Sequence, residues 1–234
     1  MNIQGLLINF AVTLLTSLLV FLSYKGESFP ADRRYSTFWP RFWTGSVDSC
    51  VLWPIAFLSN ILLVCDIPKV LGASVVIVES FAWLIYTVVM HARFGQTVGK
   101  MVTKVRVVDF RTERMISWRQ AWLREGIPGV LSFGIVGYEA YEILTGDIAL
   151  KETVGGQSLS RSGAFWFVAA LPVLWFLAEV LTMLTNQKRR ALHDFIAGTV
   201  VVRTNIREAD TQPGAILGDG STGSVGGATV AGGV

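Results

Sequence analysis

Five stretches of this chain each hold roughly 20 mainly apolar residues, the length an α-helix needs to cross the hydrocarbon core of a bilayer. They run approximately Ile3 to Tyr24, Thr44 to Val64, Gly72 to Ala92, Ile127 to Thr145 and Gly163 to Thr185. The fourth is the least apolar, since it opens with Pro128 and Gly129 and ends with Glu139 and Glu142. A soluble core has no room for so much apolar surface. Of the 234 residues 52% are hydrophobic and only 16% charged, against roughly 25% charged in an average soluble domain. The expected fold is an all-α membrane protein, a helical bundle of about five transmembrane helices.

Loop charge is an independent guide, because Lys and Arg accumulate in short cytoplasmic loops. Seventeen of the 20 basic residues fall on one side of a five-span chain. Lys25, Arg33, Arg34 and Arg41 lie between the first two spans, eight lie from Arg93 to Arg124, and Lys188, Arg189, Arg190, Arg203 and Arg207 follow the fifth. Only Lys69, Lys151 and Arg161 fall on the other side. This split sets the N-terminus outside and the C-terminus in the cytoplasm, and the short basic loops suit a bacterial inner membrane. The first stretch lacks a basic leader, is too apolar for too long, and has no A-x-A-like site after it. Residues 1–25 therefore read as an uncleaved anchor. The formal charge of +3 points to anionic lipid headgroups and not to nucleic acid, because it is distributed by membrane side.

Within the long basic loop, the β-branched run Val102 to Val108 and the polar turn Asp109 to Arg114 read as a short β-hairpin at the membrane surface, closed by Met115 and Ile116. A second β-branched run, Thr199 to Val202, lies on the same side and offers another strand. The expectation is a small cytoplasmic β-hairpin or sheet. Residues 208–234 are rich in Gly, Ser, Thr and Ala and lack the apolar surface to offset ordering, so they read as a disordered tail. No internal repeat of the kind found in many transporters is evident.

No catalytic or metal-binding set emerges, and no cofactor is implied. Cys50 and Cys65 lie on one helix too far apart for a disulfide, and His91 and His193 each lack a second ligand at metal spacing. Gly95, Gly99 and Lys100 invite comparison with a phosphate-binding loop, but that loop needs four residues between its glycines and Ser or Thr after its Lys. Three residues separate them here and Met101 follows. The plainer reading is a tight turn off the third span, with Lys100 near anionic headgroups.

Ionisable groups inside a bilayer are costly, which makes Asp48, Glu79 and Glu179 candidate sites. Arg41 stands seven residues before Asp48, about 20° short of two helical turns, so the two share a face. Asp48 then serves an ion or proton site, or it is structural, with Arg41 reaching toward it or each finding another partner. Glu79 and Glu179 either face a polar cavity or bond to neighbouring helices. Glu139 and Glu142, beside Tyr138 and Tyr141, read as solvent-facing carboxylates near the outer interface.

Taken together, Arg41, Asp48, the turn Gly95 to Lys100 with Val105 to Asp109, and Lys188-Arg189-Arg190-Ala191-Leu192-His193-Asp194 followed by Gly198 to Val202 resemble the RDD family of membrane proteins. That family is named for one arginine and two aspartates, by position Arg41, Asp48 and Asp194. The resemblance spans roughly residues 35–203 and leaves the first helix and the tail as additions. It implies a multi-pass bundle for which transport of unidentified ligands has been suggested. Asp194, beside His193 and outside the bilayer, is expected to cap its helix or pair with Lys188, Arg189 or Arg190.

Two functions fit these features. One is an ion- or proton-linked transport component using Asp48, Glu79 and Glu179. The other is a non-catalytic accessory or assembly subunit, whose basic loops bind a membrane protein partner or a second copy of the chain. The absence of a nucleophile and base at motif spacing predicts no enzymatic activity.

Overall fold

The computed structural model describes residues 3–65, 67–145 and 163–207. Each apolar stretch forms a helix: α1 (Ile3–Tyr24), α2 (Phe38–Val64), α3 (Lys69–Phe94), α5 (Trp118–Thr145) and α6 (Gly163–Thr185). Two short helices, α4 (Val98–Val102) and α7 (Leu192–Ala197), a 3-10 turn (Ala31–Arg33) and two strands, β1 (Val105–Asp109) and β2 (Thr199–Arg203), complete the described elements. The tail of 208–234 and the segment 146–162 lie outside the described residues.

Four helices, α1, α2, α3 and α6, are long and apolar enough to cross a membrane. The expected fourth span falls short on composition, and its helix begins nine residues earlier than its apolar stretch, at Trp118. It nevertheless runs antiparallel to α3 along most of that helix. Ala73 packs with Ala140 and Ile143 at one end, Phe81 with Phe133 in the middle, and Val88 with Ala121 at the other. Its charged face is thereby turned toward α3, while Leu7, Leu14, Phe167, Leu174 and similar side chains of α1 and α6 remain exposed as a lipid-facing surface should.

The β-element is a two-stranded sheet and not a local hairpin. β1 pairs antiparallel with β2, Val105 opposite Arg203 and Asp109 opposite Thr199. Asp109 Oδ1 accepts the backbone N–H groups of Arg111 and Thr112, and Gln120 donates to Oδ2 at 2.7 Å. These bonds send the chain directly into α5, so Met115 and Ile116 form no return strand. Both sheet faces are covered. Val105, Val107 and Val201 pack against Val88, Ile116 and Ala121, whereas Val108, Val200 and Val202 pack against Tyr35 and Phe110. The loop after α1 also joins this end, with Phe29 and Arg34 bonding the backbone of residues 203–207.

The turn off α3 forms as expected. Gly95 ends the helix at φ 68°, a left-handed conformation that glycine adopts without steric cost. Gly99 has a different reason to be glycine, since a Cβ there would lie 2.3 Å from the Thr44 carbonyl oxygen and 3.0 Å from the Asp48 carboxylate. Gly99→Ala should force α4 away from α2 and cost about 1 to 3 kcal/mol, the range for overpacking. Thermal melting in detergent checks this, and an unchanged midpoint would contradict the close approach.

Candidate functional site

Asp194 sits at the third position of α7, where a carboxylate can reach back to the helix start. Its Oδ2 accepts the Ala191 N–H at 2.9 Å, so it caps its own helix. The expected pairing with Lys188, Arg189 or Arg190 does not form. Asp194 instead receives two guanidinium groups from distant helices. Arg41 Nη1 donates to Oδ2 at 2.6 Å, and Arg124 Nη1 donates to Oδ1, which also accepts the Thr199 hydroxyl at 3.1 Å. The carboxylate is fully buried and Arg124 is 3% exposed. Burial alone would raise the Asp194 pKa, but Arg124 and Arg41 outweigh it and hold the carboxyl well below its usual range.

The cluster extends through His193. Arginine has no lone pair to offer, so Arg41 Nη2, 3.1 Å from His193 Nε2, must be the donor. That fixes the proton on Nδ1, which donates to Glu179. Trp175 Nε1 also donates to Glu179, at 2.9 Å. Burial, and then the Arg124 charge, lower the His193 pKa and keep the ring neutral. On the other flank, Arg124 Nε lies 3.7 Å from Glu125, and His91 Nδ1 approaches the same carboxylate to 3.0 Å outside hydrogen-bonding geometry. Arg189 and Arg190 take backbone roles. Arg189 donates to the carbonyls of Met183 and Leu184 that end α6, and Arg190 to those of Thr199 and Asp194.

Arg41 and Asp48 share a helix face but do not meet, because seven residues separate them by roughly 10 Å of helical rise. Asp48 is fastened elsewhere. Its Oδ1 accepts the Tyr86 hydroxyl and the Gly99 N–H, and its Oδ2 accepts the Thr97 hydroxyl, all at 2.7 Å. Asp48 thus caps the N-terminal turn of α4 from a neighbouring helix. Lys100, on α4, is partly exposed, and burial and the Arg124 charge push its pKa down to about 8 while Glu125 and Asp48 oppose the shift.

Glu79 lines a different feature, a cavity of about 390 Å³ between α2, α3 and α5, with Ser49, Ser80, Trp83 and Glu139 among its walls. Ser59 is a hydrogen-bond partner of Glu79. Pro54 lies in the α2 segment beside the cavity and withholds one ladder hydrogen bond there. The reading of Glu142 as solvent-facing is corrected, since it is 6% exposed with its Oε2 unpaired among the described residues, while Glu139 is partly exposed and lines this cavity. Both follow from α5 turning its polar face inward. No group of three His, Cys, Asp or Glu among the described residues is arranged to hold a metal.

Sequence reasoning missed Arg124, Glu125, Tyr86 and Thr97. Arg124 and Glu125 carried a usable signal, two adjacent charges just before an apolar stretch, but the stretch is weak enough to let them pass as loop. Tyr86 and Thr97 offered none.

A profile described as the RDD family matches residues 35–198 of the chain. A protein of Bacillus subtilis (strain 168), "Uncharacterized membrane protein YteJ", is 32% identical over 97 residues, which cover 39% of this chain and 59% of that protein. The chain therefore spans less than two thirds of that relative's length. No solved structure matches.

Two expectations follow. Asp48→Asn keeps the side-chain shape but leaves one fewer acceptor for Tyr86, Thr97 and Gly99 and removes the charge from the α4 cap. A loss of about 1 to 2 kcal/mol is expected in detergent melting, and no loss would contradict the capping role. Because folding holds His193 below its ordinary pKa near 6.5, the unfolded chain takes up a proton that the folded chain does not. Its contribution is complete above that pKa and declines as pH falls below it. Melting across about pH 5 to 8 should show this slope, and His193→Gln should flatten it. Equal slopes in the two proteins would contradict a neutral, buried His193.

Proposed function

The chain belongs to the RDD family of membrane proteins, and on that premise we propose that it is an ion- or proton-linked transport component whose central cavity admits a small cation. The observation that carries this reading is Glu79, an ionisable carboxylate inside an apolar span and on the wall of the cavity between α2, α3 and α5. A carboxylate at that depth is costly unless it is neutralised or used. Proton uptake does the first, and exchange of that proton for a cation does the second. Ser49, Ser80 and Glu139 add oxygen atoms of the kind that hard cations prefer. Asp48 has three hydrogen-bond donors and Glu179 two, against the single Ser59 partner of Glu79, and both belong to the scaffold in this reading.

The proposed orientation places the N-terminus outside and the C-terminus in the cytoplasm of a bacterial inner membrane, with α5 as the fourth of five crossings. Supporting it, the loop after α1, the segment between α3 and α5, and the segment after α6 all meet at one end of the bundle. One membrane face would then carry the basic residues and their anionic headgroups. The chain performs no covalent chemistry in this reading and needs neither cofactor nor nucleic acid. The second reading, an accessory or assembly subunit, rests on Met115, Trp118 and Trp122, large side chains exposed beside the basic segment and open to a membrane protein partner or a second copy.

Purified protein in liposomes under a pH gradient should carry sodium or potassium. Glu79→Gln should reduce that flux to background while Asp48→Asn retains it in whatever protein folds. Flux unchanged by Glu79→Gln would remove the transport reading, and absent flux with a stoichiometric co-purifying membrane protein would favour the accessory one. A reporter after residue 207 should be cytoplasmic and one inserted between residues 146 and 162 external. Both on one side would contradict the orientation.

A further inference from the structure

A second cavity, of about 480 Å³, opens between the C-terminal half of α1 and the start of α2. Its walls divide by chemistry. Leu19, Val20 and Trp43 supply an apolar flank, whereas Tyr24, Glu27 and Arg203 gather at the basic end of the bundle. Tyr24 is the last residue of α1 and Trp43 lies in the second turn of α2, so the division falls at the depth where aromatic side chains mark a membrane interface.

Arg203 is the unusual member. It is 8% exposed, its Nε donates to the Ser36 carbonyl at 2.8 Å, and its guanidinium lies 3.8 Å from the centre of the Phe29 ring. Its Nη1 is buried with no hydrogen-bond partner among the described residues, its Nη2 stays accessible and donates to none of them, and no carboxylate among them forms an ion pair with it. A buried guanidinium is normally matched by a carboxylate or phosphate, whose paired oxygens fit its fork. Glu27 is exposed at the rim and does not fill that role.

We propose that this cavity binds one glycerophospholipid from the leaflet at the basic end, its phosphodiester on Arg203 and an acyl chain along Leu19, Val20 and Trp43. Glu27 then accepts a hydrogen bond from the headgroup, which selects lipids bearing an amine N–H or hydroxyl, such as phosphatidylethanolamine or phosphatidylglycerol. Phosphatidylcholine offers no such donor. The lipid fastens α1 to α2 and to the end of β2. Most of this site, residues 16–29 and Arg203, lies outside the residues matched by the family profile, which gives the additional helix a purpose. The inference is independent of the transport reading.

The test uses the full chain reconstituted in phosphatidylcholine vesicles containing equal amounts of phosphatidylethanolamine and phosphatidylglycerol, extracted in mild detergent and weighed by native mass spectrometry. The wild type should retain one of the two donor-bearing lipids per chain in preference to phosphatidylcholine. Arg203→Gln should lower retention by about tenfold, the effect of one charged hydrogen bond. Arg203 also ties the loop at Ser36, so a second variant is needed. Leu19→Trp fills the apolar flank from an exposed position and leaves Arg203 intact, and it should lower retention equally while the melting temperature of the delipidated protein stays that of the delipidated wild type. Retention that is the same in all three proteins, or that favours phosphatidylcholine, would overturn the proposal. Displacement of the lipid by inorganic phosphate alone would also overturn it, assigning Arg203 to a free phosphate.

Discussion

One buried carboxylate, Asp194, holds two arginines that approach from different helices. Arg41 lies in the first turn of α2, Arg124 in the second turn of α5, and Asp194 in the first turn of the short helix leading into β2. Replacing such a network by apolar side chains can be neutral, but removing one member of it is not. It leaves a charge in low dielectric without its partner, at a cost of about 3 to 5 kcal/mol in soluble interiors. Removing Asp194 would strand two. The same carboxylate accepts the Thr199 hydroxyl at the first residue of β2, and Arg190 bonds the Thr199 carbonyl. The register of the sheet, and with it the cover over Val105, Val107 and Val201, therefore depends on that one group.

Asp48 does the corresponding work one level deeper. By taking Tyr86, Thr97 and Gly99 it fixes the turn off α3 against α2. The two fastenings close the basic end of the bundle with networks of several hydrogen bonds around each carboxylate, which specify one arrangement. Farther along the bundle the packing leaves open space. A cavity separates α2 from α3 and α5 there, beside Pro54, and Glu79 and Glu139 face it.

The helices were legible because spanning length and apolar composition are local properties. α1 and α6 match their apolar stretches to the residue, the β-branched run 199–202 became a strand, and of the run 102–108 only 105–108 did, Val102 ending α4 and 103–104 forming a turn. Strand pairing was less legible. A polar turn after β1 suggested a hairpin, but whether Asp109 turns the chain back or onward depends on Gln120, eleven residues later. The partners of the charged residues were not legible at all. Helical periodicity put Arg41 and Asp48 on one face, yet it contains nothing about residue 194 or residue 99, whose positions are set by packing. The cavity was likewise beyond reach, although Glu79 was visible as a charge in an apolar run. The inward face of α5 was misread for a related reason: its carboxylates resemble a solvated surface until α3 is placed against them.

The central claim is that Arg41 is coupled to Asp194 and not to Asp48. A double-mutant cycle on unfolding in detergent, with Arg41→Gln combined first with Asp194→Asn and then with Asp48→Asn, measures both couplings in one experiment. A coupling of about 1 to 3 kcal/mol is expected for Arg41 with Asp194, and additivity within about 0.5 kcal/mol for Arg41 with Asp48. The reverse pattern would contradict the account.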